Sequence, residues 1–298
     1  MIRALAAAVV LGTLGAPAPA GPKDDALWAR LRARLERLEQ SVDGVVGLSV
    51  KDLKTGATIE VLPDEPFPQG SVIKLAVLYE LYRQADEGRV DLAEITRPAM
   101  PRVGGDGVLQ HLGPAVSLTW RDVAVLMMGW SDNAATNLLI DRVGMDAVNR
   151  RLDALGLTRT RLRRRMMDLE AARRGEENVS TPAEMRRLVE AIYAGTGLSP
   201  ERARDLRLVA ATTKRTEFRK PLPETVTVLD KDGDLEAVRA AAAVVDLPGR
   251  PYSVAIMTTY LSKDEDGDAL IREVSAALFE TFDRLARSSD LGRVISER

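Results

Sequence analysis

The sequence predicts an α+β fold in which both chain ends build one antiparallel sheet with flanking helices, and an all-helical subdomain is inserted between them. Two observations predict it. Short β-branched runs stand at residues 45–50 and 58–62 and return only at 225–229, 240–245 and 252–260. The stretch between, from about residue 71 to 193, is dominated by helical patterning punctuated by Gly and Pro.

The elements follow in order. Leu27, Leu31, Leu35 and Leu38, with Arg and Glu between them, mark an amphipathic helix over 26–39. Asp52, Leu53, Lys54, Thr55 and Gly56 read as the turn joining the first two strands into a hairpin. Helices are expected at 123–128, 134–143 and 183–193, and a last one over 268–285. The expected division is a leader over 1–20 and one domain over 21–298, with its α/β part at about 24–68 and 205–290 and its helical part at about 69–204.

At 298 residues and 45% hydrophobic content, the chain is long enough to bury a large core. A formal net charge of -2 supplies no basic field for a phosphate backbone, so nucleic acid is excluded as a partner. Arg3, the apolar stretch 4–14 and Ala18-Pro19-Ala20 have the form of a secretory signal with cleavage after Ala20. That apolar stretch is shorter than the roughly 20 residues needed to cross a bilayer. A periplasmic or secreted protein without a stable membrane anchor is expected.

The chain has no cysteine, which removes disulfides, a thiol nucleophile and a Cys-ligated zinc. A Ser-His-Asp triad or a His-rich metal site would have to use the single histidine, His111. It lies in the glycine-rich stretch 104–112, which reads as a loop rather than a phosphate cradle, so His111 is expected to be structural. Lysine is therefore the expected base for any activated serine.

Gly70-Ser71-Val72-Ile73-Lys74 opens a helix that is apolar on nearly every face and should be buried. Lys74 lies one turn from Ser71, where burial lowers a lysine pKa and makes the neutral amine available as a base. The helix N-terminus adds backbone donors for an oxyanion forming beside the serine. S-x-x-K alone also fits a capping serine followed by a lysine reaching to solvent.

Trp130-Ser131-Asp132-Asn133 precedes a helix, with Ser131 or Asp132 as its cap, and Lys231-Asp232-Gly233 follows a strand signal. S-x-x-K, then S-D-N, then K-x-G in this order resembles the class A serine β-lactamases and their penicillin-binding relatives over most of the chain. The resemblance implies that Ser71 attacks the carbonyl, Lys74 helps to deprotonate it and Ser131 relays a proton to the leaving nitrogen. Asn133 would orient the substrate amide and Lys74, and Lys231 would lie near Ser131 and the substrate carboxylate. The N–H groups of Ser71 and Asp234 would form the oxyanion hole.

The chain departs from that family in two places. A loop with E-x-x-L-N, whose glutamate activates the hydrolytic water, is matched here by Met166-Met167-Asp168-Leu169-Glu170. Met166 cannot act as a base. Either Glu170 takes over from one helical turn away, with Asp168 the weaker candidate, or Glu170 is a loop carboxylate paired with Arg163, Arg164 or Arg165. Between Lys231 and Gly233 the family has Thr or Ser, where Asp232 brings a negative charge toward the substrate carboxylate. Arg239 would either offset that charge or take over the substrate carboxylate, or else stand as a solvated surface residue. Arg161 to Arg165 read as a solvated loop neck, and Asn178 replaces the usual aspartate partner of Arg164, which would loosen the loop.

The leading reading is a monomeric class A β-lactamase-like hydrolase acting on a small-molecule β-lactam. A second keeps the chemistry on a peptidoglycan-like D-Ala-D-Ala peptide or an ester, with slow deacylation. A third is a non-catalytic binding or sensing domain, opposed by the intact Ser71, Lys74, Ser131, Asn133 and Lys231.

Overall fold

The computed structural model describes residues 22–97, 103–212, 216–289 and 291–294. The leader expected over 1–20 lies outside them.

Helix α1 (Pro22–Gln40) precedes a hairpin of β1 (Val45–Asp52) and β2 (Thr58–Val61), whose turn is held by Gly56 N donating to Asp52 O. The short strand β3 (Phe67–Pro68) and a 3₁₀ turn over Gly70–Ile73 lead into α2 (Lys74–Asp86). The middle of the chain continues through β4 (Ile95–Thr96), β5 (Leu118–Thr119), α3 (Trp120–Gly129), α4 (Asn133–Val143) and α5 (Met145–Ala154). It ends with α6 (Leu169–Arg173), β6 (Val179–Ser180), α7 (Pro182–Ala194) and α8 (Pro200–Ala211). Strands β7 (Thr227–Leu235), β8 (Val238–Asp246) and β9 (Tyr252–Thr259) then precede α9 (Asp264–Arg287).

The main sheet is antiparallel, in the order β2-β1-β9-β8-β7, so strands from the two chain ends meet where Val45 pairs with Thr259. Period-2 alternation divides it between two cores. On β8, Ala241, Ala243 and Val245 face α1 and α9, whereas Ala240, Ala242 and Val244 face the helical side. Phe282 of α9 fixes the first layer, stacking on Tyr252 at 4.2 Å and meeting Trp28 edge-on at 5.7 Å. In the second core α2 is buried on almost all sides, as its unbroken apolar run requires.

Two expectations change. The middle region is not all-helical, because β4 pairs with β5, and β6 pairs with β3. Two-residue pairings have no period to read. The other is one of extent: K-x-G lies on a strand as expected, but β7 runs on from the β-branched segment through Lys231-Asp232-Gly233 to Leu235, on a sheet edge facing the cleft described next.

Candidate active site

The cleft lies where the 3₁₀ turn carrying Ser71 meets the end of β7, the start of α4 and the loop before α6. Ser71 sits in this turn rather than in the helix proper, half-buried, and lines the cleft. The turn reaches β7 through the absence of a side chain at Gly233. A Cβ there would fall 2.3 Å from Gln69 O and 2.8 Å from Ser71 N. On the other side, a Cβ on Gly70 would lie 3.0 Å from Asp234 N, so the amides of Ser71 and Asp234 come to the same end of the cleft. Gly233→Ala is expected to force the two backbones apart and cost about 1–3 kcal/mol, read as a lowered denaturant midpoint.

Lys74 is fully buried at the first position of α2. Its Nζ donates to Ser131 O at 2.5 Å, Ser131 Oγ at 3.0 Å and Asn133 Oδ1 at 2.9 Å. The expected gathering of Lys74, Ser131 and Asn133 is thus present, and a lysine reaching to solvent is ruled out. Ser131 adopts a left-handed backbone (φ 49°), a conformation a β-substituted residue holds only under surrounding constraint.

Asp132, a residue assigned from the sequence only as a possible cap, supplies that constraint. One carboxylate oxygen caps α4 by accepting from Ala135 N at 2.9 Å, and the other accepts from Val108 N and Leu109 N, each at 2.7 Å. The glycine-rich loop is thereby tied to the site, and Asn133 reaches it through its N–H to Asp106 O and its Nδ2 to Gly104 O. His111 lies exposed at the end of a short 3₁₀ turn.

On β7, Lys231 Nζ donates to Asp232 Oδ1 and Asp232 O, both at 2.8 Å. The carboxylate expected to oppose the substrate is therefore an ion-pair partner of the adjacent ammonium. Asp230, the preceding residue, is buried with Arg219 and Thr216; burial raises its carboxyl above the usual range despite both partners. Arg239 is not brought to the cleft. Its guanidinium goes to Asp268 at 2.9 Å and Asp264 at 3.2 Å on α9. Its burial opposes the charge, but those carboxylates more than compensate and hold its pKa above the ordinary value.

The stretch Arg161 to Arg165 is solvated only in part: Arg163 and Arg165 are exposed, Arg161 is half-buried and Arg164 is buried. Arg161 pairs with Asp153 and Arg165 with Asp141. Arg164 is buried and pairs with Glu177 at 2.7 Å, while Asn178 Oδ1 accepts from the amides of Arg163 and Arg164. The ion pair expected to be lost has moved by one residue, and the loop is closed at its base. Met166 is pinned by Asn137, whose Oδ1 accepts from Met166 N at 2.8 Å and whose Nδ2 donates to Met166 O at 3.1 Å.

Glu170 does not line the cleft. Met167 takes a left-handed backbone (φ 63°), so the chain turns before α6 begins. Asp168 caps that helix by accepting from Ala171 N at 2.9 Å. Glu170 then falls in the first turn with a side chain 76% exposed, paired with Arg173 rather than with Arg163, Arg164 or Arg165. The cleft wall is instead Met166, Met167 and Leu169. Glu170→Gln is expected to change the lifetime of an acyl adduct less than twofold, measured by intact mass after substrate removal, because a solvent-exposed carboxylate contributes little through space.

Comparison with known proteins agrees with this arrangement. A model of the β-lactamase enzyme family matches residues 30–282. A β-lactamase of Streptomyces cellulosae is 32% identical over 267 residues, covering 85% of each chain. An ancestral class A β-lactamase superposes with a TM-score of 0.77 at 28% identity, over 85% of this chain and 100% of that one. A mutant of PBP-A, solved as an acyl-enzyme complex with penicillin G, also gives 0.77 at 30% identity, over 86% and 97%. The fold and family define a serine hydrolase of the penicillin-recognising kind. The chain belongs to the β-lactamase enzyme family, and its architecture is that of class A.

Proposed function

We propose that this hydrolase opens the β-lactam amide by acylation at Ser71 and releases the acyl group slowly. The observation that carries the reading is the fully buried Lys74 amino group held by Ser131 and Asn133 beside the cleft that Ser71 lines. As base, a neutral Lys74 amine accepts the Ser71 proton while Oγ bonds to the lactam carbonyl carbon. The oxyanion is met by the N–H groups of Ser71 and Asp234. Collapse breaks the C–N bond, and a proton passed through Ser131 reaches the leaving nitrogen. Asn133 and the Lys231–Gly233 segment position the substrate.

Slow release is supported by the apolar wall. Met166 stands where the related enzymes carry their water-activating glutamate, and Glu170 faces solvent. The same wall favours a second reading, in which the natural acyl donor is a peptide ending in D-Ala-D-Ala and a penicillin acts as its mimic. Export by the 1–20 leader, action as a monomer and the absence of a cofactor requirement belong to the proposal. Among the described residues no helix is long and apolar enough to cross a membrane.

The test is a time course of intact protein mass after mixing with excess penicillin G, alongside Ser71→Ala and a count of product. A Ser71-dependent adduct that persists with about one product per protein is expected. Rapid clearance with many products would overturn slow release but keep acylation; no adduct would overturn both.

A further inference from the structure

We propose that Met167 is an oxidation site through which peroxide suppresses acylation at Ser71, an inference that rests on the acylation reading above. Among the described methionines, Met127, Met128, Met185 and Met257 are buried to 1% exposure or less and Met166 to 7%, while Met145 is partly buried against the helical core. Met167 is 40% exposed, in the wall of the cleft. An oxidant in solution therefore reaches this thioether well before the five buried ones.

The thioether lies against bare backbone. A Cβ on Gly105 would fall 3.1 Å from Met167 Sδ and 2.6 Å from Asn133 Nδ2, so the sulfur and the amide border the same small space. The backbone beneath Met167 is fixed on both sides, by the Asn137 clamp on Met166 and by Leu169 N donating to Met167 O at 3.0 Å.

Oxidation transfers one oxygen atom from hydrogen peroxide to Sδ. The O–O bond breaks, an S–O bond forms, sulfur loses two electrons and the peroxide leaves as water. The product is a polar, strongly accepting sulfoxide where an apolar thioether stood. Asn133 Nδ2 at present donates to Gly104 O over a long 3.3 Å, a bond the sulfoxide oxygen competes with. Turning that amide also turns Oδ1, which accepts from Lys74 Nζ at 2.9 Å. The amine that activates Ser71 would then lose one of its positioning contacts. Met167 is thus a positioning residue, acting through Asn133, and a loss of about tenfold in acylation rate matches the strength of one hydrogen bond.

The experiment exposes the purified protein to millimolar hydrogen peroxide for increasing times. Oxidation is mapped at each methionine by peptide mass, and the rate of penicillin G adduct formation is measured on the same samples. Met167 is expected to gain 16 Da first, with the acylation rate falling about tenfold in step and recovering with methionine sulfoxide reductases. In Met167→Leu the ratio of treated to untreated rates should stay near one, whatever the starting rate. Full sulfoxide at Met167 with an unchanged rate overturns the inference, as does an equal peroxide sensitivity in Met167→Leu. If untreated protein forms no Ser71 adduct, the acylation reading falls, and this control of acylation falls with it.

Discussion

Met166→Glu should shorten the life of the penicillin adduct by about two orders of magnitude or more, the usual contribution of a placed general base. The reason is positional. Asn137 holds Met166 by both its amide and its carbonyl, so a glutamate introduced there starts from a fixed backbone. A glutamate side chain matches methionine in length to within an atom, and Met166 already lines the cleft beside Ser71. The carboxylate would occupy the volume of the thioether and face the ester carbonyl from the side where water must enter. Burial disfavours its charged form and raises its pKa, which moves a carboxylate toward the range useful for proton abstraction. The substitution should cost about 1–3 kcal/mol in folding stability, read by urea denaturation. An adduct lifetime unchanged in a folded variant would mean that water does not approach from this wall.

Lys74→Met should slow adduct formation by about 10²–10⁴-fold. Methionine preserves the unbranched stem inside the core around α2 and removes only the amino group. Three acceptors, Ser131 O, Ser131 Oγ and Asn133 Oδ1, then lose their donor. Each unsatisfied buried acceptor costs about 1–3 kcal/mol, while relief from burying a polar amino group works in the opposite direction. Net stability should therefore move much less than activity, a separation that stopped-flow acylation and equilibrium unfolding resolve together. If acylation survives, the proton of Ser71 must leave by another route.

The fold was legible where the period was clear. Leucines at helical spacing located α1, and the β-branched runs located the strands of both chain ends. The short pairings β3–β6 and β4–β5 were illegible because two residues establish neither alternation nor length. In the site, the grouping of Lys74 with Ser131 and Asn133 was implied by the resemblance to the class A serine β-lactamases, and the tertiary fold brings these distant positions together. The placement of Glu170 did not, because counting from Met166 assumed a continuous helical turn, whereas the backbone reverses at Met167 and helix begins at Leu169. Arg164 found Glu177 instead of an aspartate at the next position, a one-residue transfer invisible to motif matching. The second grip of Asp132, on Val108 and Leu109, spans a loop that only the tertiary fold brings near.

The sheet joins β1 to β9 across nearly the whole chain, and β7 reaches Ser71 only by packing on the turn before α2. A chain emerging from the ribosome exposes its nucleophile early but acquires the opposing wall late. Until Tyr252–Thr259 has been made and inserted, β1 lacks one neighbour and β8 lacks another, so the sheet has no centre. Chemistry is therefore coupled to completion of synthesis: a prematurely stopped chain carries Ser71 and Lys74 yet has no cleft in which to use them.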